Sequence, residues 1–158
     1  MPETTLTRLE PDQFDAVNAM ILRSKAFWGY DADMMAKMET VLRLDPAAAA
    51  EGRAIAAWQT GAPMGLAQIS APYEAEGGFA VMLDLLFIAP EAIGSGLGKQ
   101  LYDWALDQAR MADAICLHIL SDPNARGFYT AMGASFIEDR PSKLVPDRFL
   151  PWLEHRLA

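Results

Sequence analysis

The chain has 158 residues, 52% hydrophobic and 22% charged, a composition that excludes wholesale disorder and suits one compact domain over 1–158. A single cysteine, Cys116, and two histidines, His118 and His155, argue against a disulfide framework or a multi-histidine metal centre, so no metal is expected. With 13 basic against 21 acidic side chains the net charge is -8, which disfavours nucleic acid as a partner. No segment approaches the ~18 consecutive apolar residues of a membrane span. Met1-Pro2-Glu3-Thr4-Thr5 also lacks the basic start and apolar core of a secretory signal. A reduced, soluble, cytoplasmic protein with no membrane partner is the expectation.

Thr4 to Leu9 alternates and reads as a first strand. Pro11-Asp12 opens a helix whose Phe14, Val17, Ile21 and Leu22 share a face, and Phe27-Trp28-Gly29-Tyr30 interrupts it. A second helix is predicted from Asp31 to about Leu44, stopped by Asp45-Pro46, with Ala47 to Ala50 too short a run to assign. The middle reads as antiparallel sheet: strand Arg53–Gln59, turn Thr60-Gly61-Ala62, strand Met64–Ser70, loop Pro72–Gly78, then a long apolar strand Phe79–Ala89 ended by Pro90. A helix marked by Leu97, Leu101, Trp104, Ala105 and Gln108 follows, then a buried strand Ile115–Leu120. Ser121-Asp122-Pro123 starts another helix closed by Gly133, and Ala134–Glu138 reads as strand. Arg148–Leu157, broken by Pro151, is read as a last, interrupted strand; its Phe149, Leu150 and Trp152 leave a homodimer interface open.

Two blocks carry chemistry. In Ile88-Ala89-Pro90-Glu91-Ala92-Ile93-Gly94-Ser95-Gly96-Leu97-Gly98-Lys99, a strand passes through alternating glycines into a helix. Glycines let backbone amides approach an anion, and a helix N-terminus adds unpaired N–H groups, so a phosphate or pyrophosphate is the natural guest. A nucleotide-triphosphate loop is a weak reading, because it would need glycine at Ile93 and a hydroxyl at Gln100. A dinucleotide fingerprint begun at Gly94 would need its third glycine at Lys99. The second block, Asp122-Pro123-Asn124-Ala125-Arg126-Gly127-Phe128-Tyr129-Thr130-Ala131-Met132-Gly133, sets Ala125, Phe128, Tyr129 and Met132 along one helix side.

In element order, in the glycine loop after a long apolar strand, and in Phe128-Tyr129-x-x-x-Gly133, the chain resembles the GNAT superfamily of acyl-CoA-dependent N-acetyltransferases. Arg23-Ser24-Lys25-Ala26-Phe27-Trp28-Gly29-Tyr30 is also similar to a segment of a bacterial GNAT branch. The resemblance implies an α/β (α+β) fold, a mixed, mostly antiparallel sheet splayed between its fourth and fifth strands and flanked by about four helices. It implies acetyl-CoA as co-substrate. Backbone groups of Leu86, Phe87 and Ile88 would pair with the pantetheine arm, and amides of Gly94, Ser95, Gly96, Leu97, Gly98 and Lys99 would hold the pyrophosphate. Tyr129 would protonate the departing thiolate, and Asp122 and Asn124 would lie near the cofactor. Two positions depart from the family pattern: Ile93 stands where Gln or Arg is usual, and Asp122 where Asn is often found.

Acetyl transfer needs a free amine, and an alkyl ammonium with a pKa near ~10.4 must first lose a proton. Asp84, a carboxylate inside the apolar strand, is the first candidate base by analogy with a family glutamate, and His118 on the next strand is the rival. Cys116 reads as a small buried hydrophobe. Arg23, Lys25, Trp28 and Tyr30 fall where the resemblance places a flap over the acceptor, and their rings could pack on a cationic or alkyl amine. The expected reaction is direct transfer to an amine of a small molecule or peptide. The alternative is a catalytically silent acyl-CoA sensor.

Overall fold

The computed structural model describes residues 3–157; Met1 and Pro2, the start of the stretch read for a secretory signal, lie outside them. In chain order the elements are β1 (Thr5–Thr7), α1 (Phe14–Ala26), α2 (Ala32–Glu39), α3 (Pro46–Ala50), β2 (Ala54–Gln59), β3 (Ala62–Ile69), β4 (Tyr73–Ala75), β5 (Gly78–Ile88), α4 (Leu97–Met111), β6 (Cys116–Leu120), α5 (Arg126–Ala131), β7 (Ser135–Pro141) and β8 (Phe149–Arg156). The eight strands form one mixed sheet of order β1-β2-β3-β5-β6-β8-β7, with β4 paired on β5. The β1–β2, β2–β3, β4–β5, β6–β8 and β7–β8 ladders are antiparallel, and β5–β6 is parallel. That parallel ladder runs only from Ala80↔Cys116 to Leu83↔Ile119, while β5 continues to Ile88.

The residues fall into two compact units. One comprises the chain through Ile69 with Leu85–Ala105, the other Ser70–Asp84 with Leu106 onward. In the first unit α1 buries Val17, Met20 and Ile21 in a cluster with Leu66, Leu97 and Leu101. Gly65 on β3 makes room for this packing: a Cβ there would lie 2.8 Å from Leu101 Cδ1 and 3.2 Å from Leu97 Cδ2. The β2–β3 hairpin turns through Thr60 and Gly61, both at positive φ (47° and 80°), the twist that matches a two-residue connection.

In the second unit β6 lies between β5 and β8, and register sorts its side chains. Val81 and Leu83 of β5, Leu117 and Ile119 of β6, and Leu153 of β8 share one buried apolar face. Met82, Asp84, Cys116, His118, Trp152 and Glu154 fall on the opposite face. Gly133, just past α5, sits against the His155 ring, where a Cβ would lie 3.1 Å from Cε1. His155 pairs with Leu117, so the end of α5 covers the apolar face.

Four predicted elements are corrected. The second helix stops at Glu39, and Thr40 Oγ1 donates to Lys37 C=O at 2.7 Å as the chain turns away. Asp45-Pro46 begins α3 rather than only ending a helix: Asp45 Oδ1 accepts from Ala47 N–H at 3.0 Å and Pro46 occupies the first turn. The stretch read as a Pro72–Gly78 loop contains β4, paired from Tyr73↔Ala80 to Ala75↔Gly78. The last strand is continuous through Pro151, which lies beyond β6's final pair, Leu120↔Trp152, and so interrupts no β6 ladder bond.

Candidate active site

The glycine block folds as a short 3-10 turn (Pro90–Ala92), a tight loop and the start of α4. Gly94 and Gly96 hold φ of 82° and 87°, and a Cβ on either would meet nothing within 4 Å. Conformation, not crowding, requires glycine at both. Ser95 Oγ donates to Ala92 C=O at 2.6 Å and accepts from Leu97 N–H at 3.3 Å, fixing the loop to the helix. Gln100 N–H bonds Gly96 C=O at 3.2 Å, so the amides of Gly98 and Lys99 precede that first intrahelical bond and emerge at the positive end of a 15-residue helix. The Lys99 ammonium pairs with Asp103 at 2.7 Å, one turn along α4, and Ile93 beside the loop is half exposed.

Leu86, Phe87 and Ile88 are half-buried at the end of β5, and Ala89 N–H, just beyond them, bonds Met64 C=O at 2.8 Å. Arg23 in the last turn of α1 pairs with Glu91 at 2.8 Å, tying that helix to the loop region, and this bond holds the Glu91 carboxyl below the usual range. Phe27 and Trp28 are exposed and meet edge to face at 5.4 Å. Lys25 is buried, its ammonium 5.4 Å from the centre of the Tyr30 ring and 5.9 Å from that of Phe87.

In the second unit, Tyr129 of α5 is buried, with Phe128 packed against it edge to face at 5.3 Å. Asp122 Oδ1 accepts from Asn124 N–H at 2.8 Å, and its other oxygen lies 3.8 Å from Arg148. Asp122 is thus a cap and half of an ion pair; Asn124 is exposed in the 3-10 turn before α5. Asp84 is exposed rather than enclosed by the apolar strand around it.

The side-chain network of this unit centres on His118. Its Nδ1 meets Tyr73 Oη at 2.5 Å and its Nε2 meets Glu154 Oε2 at 3.1 Å. Cys116 Sγ lies 3.5 Å from the same Nε2. Trp152 stacks on the imidazole at 4.8 Å, and the Arg140 guanidinium lies over the Trp152 ring at 3.9 Å. Burial pushes the Tyr73 phenol up to about 12 and also raises the Cys116 thiol, so both stay protonated at neutral pH. Burial would raise the Glu154 carboxyl too, but hydrogen bonds from His118 and Arg156 outweigh it and hold it low and ionised. Donor atoms of Cys116, His118 and Glu154 lie within 4.8 Å of one another.

Comparison with known proteins decides the family. The model of the Acetyltransferase (GNAT) family matches residues 19–134. The chain belongs to that family. It is an acetyltransferase whose fold recurs in solved N-acetyltransferases. One, a GCN5-related N-acetyltransferase from Rhodopseudomonas palustris, is 17% identical with a TM-score of 0.76, covering 99% of this chain and 98% of that one. The PaiA N-acetyltransferase from Thermoplasma acidophilum, solved with coenzyme A, is 12% identical at a TM-score of 0.76, covering 98% and 99%. The ribosomal-protein-S18-alanine N-acetyltransferase of Escherichia coli is 16% identical at 0.65, covering 98% and 94%. No curated protein matches the chain in sequence.

For this acetyltransferase, the sequence singles out Tyr129, Asp84, His118 and the glycine loop. It passes over Tyr73 and Glu154, which the structure joins to His118. Glu154 faces His118 because the two are direct partners in the antiparallel β6–β8 ladder, a pairing 36 residues apart in the chain. Tyr73 is hidden by the loop assigned to its segment, although Gly77-Gly78 is a turn signal where β4 passes into β5.

Proposed function

We propose that the whole chain acts as one domain that moves the acetyl group of acetyl-CoA to the amine of a small molecule or peptide by direct attack. The observation that carries this reading is the loop–helix element: glycines at positive φ leading into α4, whose first amides lie at the positive end of the helix, where an anion would be favoured, in a chain of the acetyltransferase family. Gly94 to Lys99 would hold the pyrophosphate, and Leu86, Phe87 and Ile88 would pair with the amide-rich pantetheine arm as an added strand. Asp122 and Asn124 would border the cofactor, and Tyr129 would give the leaving thiolate its proton.

Arg23, Trp28 and Tyr30 would contribute to the acceptor pocket, with the half-exposed Trp28 ring offering an apolar or cation-binding surface. The acceptor's proton would leave to a base on the sheet face that carries Asp84 and His118. A reducing cytoplasm would suit the protonated Cys116 thiol. The solved neighbours are proteins named for a ribosomal alanine acceptor and for complexes with coenzyme A, which fits an amine acceptor and this cofactor.

The test is thiol release from acetyl-CoA with a panel of aliphatic diamines, amino acids, aminosugars and free-N-terminal peptides. Turnover that falls on Tyr129→Phe supports the reading. A second reading, a silent acyl-CoA sensor, is favoured by the ion pair that occupies Asp122 and by Ile93 at the loop. Tight acetyl-CoA binding without turnover across the panel would select it.

A further inference from the structure

The Tyr73–His118–Glu154 chain has a direction. An ionised Glu154 only accepts, so the hydrogen between it and His118 belongs to Nε2. With that hydrogen on Nε2, the other ring nitrogen, Nδ1, is the one that meets the protonated Tyr73 phenol. The outer end of the chain is therefore the hydroxyl of half-buried Tyr73 backed by an imidazole nitrogen, which is backed in turn by a carboxylate. Packing against Trp152 holds the imidazole's orientation. This is the arrangement by which a carboxylate orients an imidazole and stabilises the imidazolium that forms.

Position supports a role in the chemistry. Tyr73, His118 and Glu154 share the sheet face of Asp84, and Asp84 is near enough for its charge to raise Tyr73. His118 pairs with Met82, one residue before the β5–β6 ladder ends at Leu83↔Ile119. The charged and titratable groups around the ring come from every neighbouring strand: Tyr73 from β4, Asp84 from β5, Cys116 from β6, Arg140 from β7, Glu154 and Arg156 from β8.

We propose that Tyr73, His118 and Glu154 form the proton relay that deprotonates the amine acceptor, with Tyr73 Oη the atom that meets the substrate. The inference rests on the acetyl-transfer reading above and assigns its base. In the step, an N–H bond of the acceptor ammonium breaks and its proton goes to Tyr73 Oη. The Tyr73 proton passes to His118 Nδ1. The ammonium becomes an amine, the imidazole becomes an imidazolium beside the Glu154 carboxylate, and net charge is conserved. The amine nitrogen then attacks the thioester carbonyl, the C–S bond breaks and the thiolate takes its proton from Tyr129. The attacking nitrogen loses its second proton to water as the amide forms, the Tyr129 phenolate regains a proton from water, and the imidazolium returns its proton to water.

The experiment compares pH profiles of kcat/KM for the wild type, Tyr73→Phe, His118→Gln and Glu154→Gln, with acetyl-CoA and the best acceptor of the panel. At pH 7, Tyr73→Phe and His118→Gln should each lower kcat/KM about 100-fold, the ordinary worth of a general base. The loss should shrink as pH rises and the acceptor arrives as the free base, while KM for acetyl-CoA stays unchanged. A purely structural role would lower activity equally at all pH values. Tyr73→Phe keeps the ring and removes one oxygen, so it reports even if His118→Gln misfolds. Wild-type turnover sensitive to Tyr129→Phe, with Tyr73→Phe profiles parallel to wild type, overturns the relay and leaves acetyl transfer standing. The relay falls equally if Asp84→Asn, and not Tyr73→Phe, shows the loss that shrinks as pH rises. Absence of wild-type turnover with every amine overturns both.

Discussion

The loop before α4 and the cluster around His118 present opposite kinds of chemistry. At Gly94 and Gly96 the atoms offered are backbone amides, and side chains are absent because a φ near +85° disfavours them. Around His118 the working atoms are side chains, aligned by strand register and held by Trp152 and Arg140. The first region would bind, on the proposed reading, through conformation, and its glycines lie close together in sequence, where they can be read. The second acts through contacts between strands β4, β6 and β8, which no local pattern reveals.

The largest expected effect falls on the side-chain chemistry. Tyr129→Phe should lower kcat with the best amine by about 100-fold or more, the range for a lost proton donor, with the fold intact by circular dichroism. A loss below threefold would remove Tyr129 as the acid.

Next comes packing beneath the glycine loop's helix. Gly65→Ala pushes a methyl to within 2.8 Å of Leu101 Cδ1, and overpacking should destabilise by about 1–3 kcal/mol in urea unfolding. An unchanged midpoint would mean that the Leu101 side chain yields freely.

Gly96→Ala should cost about 1–2 kcal/mol of strain, because an L-residue resists a φ of 87°. Its KM for acetyl-CoA should rise as the amides shift. Gly127→Ala sharpens the contrast: in α5 it has negative φ and open space for a Cβ, so it should stabilise by about 0.4–1 kcal/mol. If both alanines behaved alike in thermal melts, conformation would not distinguish the two glycines.

The smallest effect is on acid stability. Glu154 is held below the ordinary carboxylate range in the folded state despite its burial, so the unfolded chain binds its proton more readily. Its contribution is present above the unfolded pKa and is lost as pH falls through the folded value. Glu154→Gln should flatten that part of the stability–pH curve; a slope identical to wild type would contradict the assigned hydrogen bonds.

Much of the sheet is legible in the sequence because β2, β3 and β5 are apolar runs between strong turn signals such as Thr60-Gly61 and Pro90. The glycine loop and α5 are legible for the same reason: their punctuation is local. α3 is not, because Asp45-Pro46 is both a stop signal and a start, and only the bond from Ala47 N–H to Asp45 settles which. β4 escapes because three residues between Pro72 and Gly77 carry too little periodicity to outweigh those neighbours. With β4 goes Tyr73, and with the β6–β8 register goes Glu154. His118 can be suspected from sequence, but its partners cannot.

The most direct test of the central claim is acetyl-CoA-dependent thiol release with the amine panel, run side by side for wild type and Tyr129→Phe. Wild-type turnover should collapse in the variant while acetyl-CoA still binds. Calorimetry showing that neither protein takes up acetyl-CoA would contradict the claim.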